Sequence, residues 1–432
     1  MVRLNIENIA IIENFYVSYD YLLNLYNQSN IENIAIIENF YVSYGNDVFS
    51  MNPFRKRTGI FPSYFTGRDD ELNELREIYE STQAGAAGHI IIYGPKGIGK
   101  TCLLIKFEEE LKGVDEVYPV RIPLIEGDFD EIYTLIVDKA AETLKISEGN
   151  FWDDITSLGV NIPLAGGFTV SRKRPTTSPS VALERILKSI YNKLTGENPV
   201  LILLFDDLQR IIPNKGTNKV LNILQNALVE LNLKGMNVMF VATGAHDIFS
   251  QIQDHLDSAV RIFEPYELKP LSKNEVNDAI FIPADNEGVK FAEEVMDSIY
   301  KMSEGIPYYM QVLAYNCFAE AVDGKVGVNE LKKSFPRSLD LLAQREFRGM
   351  YEKSSNEERN ILGLMAENPK EILSYKEIKE GLKLKSEPSF WLRAMVNKNL
   401  IIKKSRGKYC LRDRLFKEYL RTFKPYRENG TH

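Results

Sequence analysis

Residues 89–101 read His89-Ile90-Ile91-Ile92-Tyr93-Gly94-Pro95-Lys96-Gly97-Ile98-Gly99-Lys100-Thr101. The first five residues are a short apolar run of the kind buried in a parallel sheet. The next eight match the pattern GxxxxGK[ST], and a helix is expected from about Lys100 to Lys112. A strand, a glycine-rich turn and a helix in that order form a cradle for phosphate. The glycines let the backbone curl until its N–H groups converge on phosphate oxygens, and the helix N-terminus adds partial positive charge. Lys100 is then placed to reach the β- and γ-phosphates of a nucleotide, and the Thr101 hydroxyl to ligate Mg²⁺.

A phosphate loop needs an acidic partner at the end of a neighbouring strand. Pro199-Val200-Leu201-Ile202-Leu203-Leu204-Phe205-Asp206-Asp207 supplies one. An apolar strand here delivers Asp206 to the carboxyl edge of the sheet, where open α/β sheets bind ligands. Asp206 is the expected metal holder, and Asp207 the expected general base for an attacking water.

Working outward, strands and helices alternate. Asp69–Ser81 reads as an amphipathic helix, Val117–Ile122 as a strand, Phe129–Leu144 and Thr217–Leu233 as helices, and Asn237–Thr243 as a buried strand followed by a helix near His246–His255. That alternation predicts an α/β fold around a parallel sheet. Ser157–Arg174 interrupts it and reads as an inserted hairpin around Ala165-Gly166-Gly167, with an Arg172-Lys173-Arg174 cluster as a second candidate DNA contact. From Ser272 to about Phe347 the pattern is helical, with Lys273–Phe281, Val289–Met302 and Tyr308–Val322 as helices.

The C-terminal stretch reads as three helices and a hairpin. They are Asn356–Glu367; a helix starting at Ser374, where the Ser374/Glu377 spacing forms a capping box; Ser386–Lys398; and strands Leu400–Lys404 and Lys408–Arg412. This order resembles a winged helix, in which Arg393 and Lys398 of the third helix and Lys403, Lys404, Arg406 and Lys408 of the wing face DNA.

The chain has 432 residues and a formal net charge of −7, from 53 basic and 60 acidic residues. Lys370–Arg427 holds 17 Lys and Arg against 6 Asp and Glu, which leaves the rest strongly acidic. The asymmetry places any nucleic-acid contact at the C-terminus. The three cysteines, Cys102, Cys317 and Cys410, are far apart, which excludes a disulfide scaffold and CxxC motifs. The four histidines show no HExxH spacing, and no apolar run is long enough for a membrane span, so a cytoplasmic protein without membrane contact is expected. Asn5–Tyr19 and Asn30–Tyr44 are identical fifteen-residue copies, read as a duplicated N-terminal extension.

The motifs together resemble the AAA+/STAND P-loop ATPases, and most closely the archaeal ATPase family related to origin-recognition and replication-initiator ATPases. The resemblance rests on Phe65-Thr66-Gly67-Arg68-Asp69-Asp70-Glu71-Leu72, the phosphate loop, LILLFDDLQ, Val238–Thr243, Glu264-Pro265-Tyr266-Glu267-Leu268 and Gly305-Ile306-Pro307, and it covers about Asn52–Phe423. It implies four units: the extension 1–50, a P-loop ATPase core 51–271 carrying the hairpin 157–174, a helical lid 272–350 and a winged-helix domain 351–432. It implies ATP and Mg²⁺ as cofactors. The ATP-binding set is Gly67, Arg68, Gly94, Pro95, Lys96, Gly97, Ile98, Gly99, Lys100, Thr101, Cys102 and Pro307, with Thr101 and Asp206 on the metal. Asp207 and Thr243 are then catalytic, Thr243 as the polar sensor of the γ-phosphate. Arg261 stands where an arginine finger projects into a neighbouring subunit, which implies a homo-oligomer.

One departure stands out. Pro307-Tyr308-Tyr309-Met310-Gln311 holds no arginine, whereas replication initiators place a phosphate-sensing arginine in the lid helix. The expected function is a slow, switch-like ATPase that binds double-stranded DNA. The alternative is a signalling or scaffold ATPase whose winged helix docks a protein.

Overall fold

The computed structural model describes residues 51–124, 129–146, 150–157, 178–211, 219–246, 248–249, 262–382 and 387–423. The duplicated extension, the hairpin beyond Ser157, Arg172–Arg174, Arg261 and most of the helix expected near His246–His255 lie outside the described residues.

The first layer alternates as the sequence predicts. Helix α1 (Asp69–Gln83) leads to β1 (His89–Tyr93), α2 (Lys100–Leu111), β2 (Val117–Pro123), α3 (Phe129–Thr143), α4 (Asn150–Ser157) and α5 (Pro179–Tyr191). Then follow β3 (Val200–Asp206), α6 (Lys219–Leu233), β4 (Asn237–Gly244) and β5 (Phe263–Glu267). The five strands make one parallel sheet in the order β2-β3-β4-β1-β5.

Both faces of the sheet are covered, so its strands are continuously apolar and their side chains sort by alternation. Ile90 and Ile92 of β1, with Val200, Ile202 and Leu204 of β3, join a core shared with α1, α2 and the helices that follow. Ile91, Leu201, Leu203 and Phe205 face the opposite core, with α3 to α6.

The helical layer comprises α7 (Lys273–Asn286), β6 (Lys290–Phe291), α8 (Glu293–Ser303), α9 (Pro307–Ala319), β7 (Lys325–Val326) and α10 (Val328–Leu342). A π-helical turn at Ala343–Phe347 leads into α11 (Arg348–Glu352). Strands β6 and β7 pair in parallel. Helix α9 is buried nearly all round, with Tyr309, Met310, Val312, Leu313, Ala314 and Cys317 in the core.

The C-terminal part is α12 (Asn356–Glu367), β8 (Leu373–Ser374), α13 (Tyr375–Gly381), α14 (Ser389–Asn397), β9 (Ile401–Ser405), β10 (Lys408–Leu411) and α15 (Arg414–Phe423). Strands β8, β10 and β9 form an antiparallel sheet in that order. Ser355 and Ser374 cap α12 and α13 through capping boxes with Glu358 and Glu377. The third helix is shorter than the expected Ser386–Lys398 because Pro388 sits at its N-cap. Residues of the sheet, the helical layer and the C-terminal part share one hydrophobic cluster, and Asn52–His432 is a single compact unit. Among the described residues no helix is long and apolar enough to cross a membrane, and no cluster of His, Cys, Asp or Glu has a metal-binding arrangement.

Candidate nucleotide site

The loop after β1 curls as its glycines allow. Gly97 has φ +81°, and a Cβ there would lie 2.8 Å from Tyr308 Cβ, so only glycine lets the loop and α9 approach this closely. The Tyr308 N–H donates to Gly97 O at 3.2 Å. Gly305 is constrained in the same way. It has φ +74°, its carbonyl accepts from Leu271 N–H at 2.9 Å, and a Cβ would collide with Leu271 O. The Gly305-Ile306-Pro307 segment thereby sets the start of α9 against the phosphate loop.

Behind the loop, β3 and β4 bring three oxygens together. Thr101 donates to Asp206 Oδ1 at 3.1 Å and Thr243 donates to the same oxygen at 2.6 Å. Asp207 N–H donates to Thr243 Oγ1 at 2.9 Å. Asp207 lies in the left-handed region, φ 65° and ψ 53°, which turns its side chain away from the line of the strand. Its carboxylate accepts from Gln209 Nε2 at 2.9 Å and from Arg210 Nε at 3.2 Å.

Lys100 Nζ donates to the carbonyls of Gly94 at 2.9 Å and Pro95 at 3.1 Å. Burial lowers its pKa, and Asp207 and Asp206 oppose that shift. Burial, with Asp206 adding to it, pushes the Cys102 thiol up to about 11, so it stays a neutral thiol at the mouth of α2.

A cavity of about 470 Å³ opens in front of this loop. Of the expected site residues, Arg68, Lys96, Gly97, Ile98, Gly99, Lys100, Thr101, Cys102, Asp207 and Pro307 line it. Gly94 and Pro95 act through their carbonyls on Lys100. Asp206 and Thr243 stand behind Thr101 and Asp207, outside the lining. Gly67 is not brought to the cavity and packs against Glu275 of α7. Arg68 is buried, and its guanidinium donates to Glu71 Oε1 (2.9 Å), Lys269 O (2.8 Å) and Ile98 O (3.0 Å). It braces the phosphate loop and has few donors left for a base or ribose.

The structure adds residues that local pattern did not reveal. The segment after Met51 forms a wall, with Arg55, Arg57, Ile60, Phe61 and Phe65 lining the cavity. The Phe61 and Phe65 rings stack 5.7 Å apart with planes 6° from parallel. The segment is anchored on α9, where Asn52 donates to Tyr315 O at 2.9 Å and Arg55 N–H to Gln311 Oε1 at 2.7 Å. Arg210 also lines the cavity. Although α9 has no arginine at its start, the π-helical turn supplies Arg345. Its guanidinium donates to Lys56 O and sits beside Tyr308, opposing the upward shift that burial imposes on that hydroxyl.

The same two elements reach the C-terminal part with their next residues. Tyr309 O–H donates to Asp413 Oδ2 at 3.3 Å and accepts from Arg412 Nη2 at 3.2 Å. Glu346 pairs with Arg412 at 3.0 Å. Tyr308 lines the nucleotide cavity and Arg345 sits beside it, while the next residue of each pair, Tyr309 and Glu346, reaches the C-terminal part.

The expected DNA-facing residues divide. Arg393, Lys403, Lys404, Arg406 and Lys408 are exposed. Lys398 is exposed too, but its ammonium is engaged within the protein, pairing with Glu358 at 2.6 Å and donating to Lys353 O at 3.2 Å. Glu358 is only 2% exposed, so its carboxylate requires that partner.

The profile of an ATPase domain family found predominantly in Archaea matches residues 65–313. An uncharacterised HTH-type transcriptional regulator of Methanocaldococcus jannaschii is 23% identical over 270 residues, which span 60% of this chain and 63% of that protein. The alignment therefore takes in less than two thirds of that relative's length. Among solved structures, the Walker-type ATPase of Pyrococcus abyssi superposes with a TM-score of 0.55 at 16% identity, covering 85% of this chain and 98% of that one. The ORC2 protein of Aeropyrum pernix, solved in ADPNP–ADP complexes, gives 0.53 at 14% identity, covering 85% and 97%. At these identities the structural likeness is one of fold. The family match runs from the segment before α1 into α9 and takes in the whole phosphate loop, the acidic end of β3 and the first helices after the sheet. The chain belongs to this family of predominantly archaeal ATPase domains.

Proposed function

We propose that the chain is an ATP-hydrolysing switch whose C-terminal part is a winged helix that binds double-stranded DNA. The observation that carries the first half is the Thr101–Asp206–Thr243 hydrogen-bonded set at the carboxyl edge of the sheet, directly behind the phosphate loop. ATP enters as its Mg²⁺ complex. A hydroxyl and a carboxylate 3.1 Å apart are hard oxygen donors that suit this cation. The loop N–H groups and Lys100 take the phosphates, the Phe61/Phe65 wall takes the base, and Asp207 accepts the proton of the attacking water. Thr243, bonded to both aspartates, couples their positions and acts as the sensor.

We read 51–271 as the ATPase core, 272–350 as its lid and 351–432 as the winged helix. The exposed cations Lys403, Lys404, Arg406 and Lys408 on the hairpin β9–β10 support DNA contact, since a cationic wing neutralises phosphates and releases counterions. A salt titration of duplex binding tests this half. Replacing the four with alanine should lower the slope of log affinity against log salt by about one for each phosphate no longer neutralised. An unchanged slope, or no duplex binding by the intact protein, overturns it.

A further inference from the structure

Helix α14 buries Leu392 and Met395 and half-buries Trp391 and Val396. Its outward face therefore carries Phe390, Arg393 and Asn397, spaced three and four residues apart. Phe390 is 77% exposed, a large apolar surface left in water at the first turn of the helix.

A lone exposed phenylalanine means little, but the surroundings of Phe390 are specific. Tyr375 ties the start of α14 to the tip of the hairpin. Its N–H donates to Gly407 O at 2.7 Å, and its hydroxyl lies 3.0 Å from Ser389 Oγ. The turn Arg406-Gly407 and the first turn of α14 are thus one tyrosine apart. Among the described residues, Arg393, Lys403, Lys404, Arg406 and Lys408 make no ion pair, whereas the nearby acid Glu387 is held by Lys379 and Tyr375. An aromatic ring projects from the helix beside unpaired cations. The major groove of a duplex matches both features, with phosphates at its rim and the thymine C5-methyl as the apolar group among its base edges.

Resting on the duplex-binding reading above, we propose that Phe390 is a specificity-determining residue that packs on a thymine methyl in the major groove. Arg393, one turn along the same face, reads a neighbouring base edge.

The test selects binding sites from a randomised duplex pool with the full-length protein and with Phe390→Ala. The intact protein should enrich a site containing a thymine that Phe390→Ala no longer selects. Replacing that thymine by deoxyuridine removes only the methyl, and it should weaken the intact protein about fourfold, the worth of one buried methyl. Phe390→Ala should bind both duplexes equally with an unchanged salt slope, and Phe390→Leu should retain part of the preference. If Phe390→Ala keeps the thymine preference and the deoxyuridine penalty, or if it weakens all duplexes alike, the assignment is overturned. If the intact protein binds no duplex at any salt concentration, the duplex-binding reading itself fails.

Discussion

Arg412→Met removes a cation from the buried contact between the π-helical turn and the C-terminal part, and the geometry sets the cost. The Arg412 side chain is 7% exposed, and its partners Glu346 and Asp413 are 7% and 3% exposed. Nη2 lies 3.0 Å from Glu346, Nε 2.7 Å from Asp413, and Nη1 2.9 Å from Met350 Sδ. Methionine keeps much of the volume but leaves two carboxylates without a counter-charge. Removing one partner of a buried pair costs roughly 3–5 kcal/mol, mainly from the charge left behind. Burial pushes the Asp413 carboxyl up and Arg412 pulls it down, so without Arg412 only the hydrogen bonds from Phe416 N–H and Tyr309 O–H oppose the upward push. A carboxyl whose folded pKa is raised gains stability when protonated and loses it as pH rises through the folded pKa. The deficit of Arg412→Met should therefore be largest near neutral pH and shrink on acidification, as measured by denaturant unfolding of both proteins across that range. Adding Glu346→Gln should recover part of the loss. A midpoint equal to that of the intact protein at neutral pH, or a deficit that does not change with pH, would refute the claim that this network is buried and charge-balanced.

Three further outcomes follow from the site and the core. Asp207→Asn should bind ATP normally and hydrolyse it slowly, while Asp206→Asn, which disturbs the bond to Thr101, should also weaken Mg²⁺-dependent binding; identical behaviour in single-turnover and binding assays would remove the division of roles. Gly97→Ala should weaken ATP-analogue binding and lower the melting temperature, since alanine must hold φ +81° with its Cβ against Tyr308, a strain of roughly 1–3 kcal/mol; wild-type affinity would contradict the loop geometry. His89, the first residue of β1, is buried, with Nδ1 accepting from Phe240 N–H and burial driving its pKa down to about 4. The unfolded chain takes that proton near pH 6.5, so stability should fall as pH drops from there toward 4, by about 3 kcal/mol in full, and His89→Gln should flatten the dependence in thermal scans.

How far the sequence could be read depends on the range of the interaction. β1, the phosphate loop and α2 were legible because a strand, glycines and a helix start are local signals, and the capping box at Ser374 was legible for the same reason. Strand β5 was less so. Its sequence, Phe263-Glu264-Pro265-Tyr266-Glu267, carries two acids and a proline, which an edge strand paired only with β1 tolerates. The expectation also omits α5, although Pro179 at its start and the row Leu183, Ile186, Leu187 and Ile190 obey helical spacing. Arg345 and the wall from Arg55 to Phe65 were beyond local reading, because they meet Tyr308 and α9 across some 40 and 250 residues of chain. Lys398 shows the converse. Its type and position suit a DNA contact, but the buried Glu358, forty residues earlier, holds it.

The claim that the cavity before the phosphate loop hydrolyses ATP is tested most directly by phosphate release from Mg²⁺-ATP without any added acceptor, comparing the intact protein with Lys100→Ala. The account predicts slow, steady release by the intact protein and loss of both tight ATP binding and turnover in the variant, because the ammonium that meets the β- and γ-phosphates is gone. Equal turnover by the two proteins would contradict it.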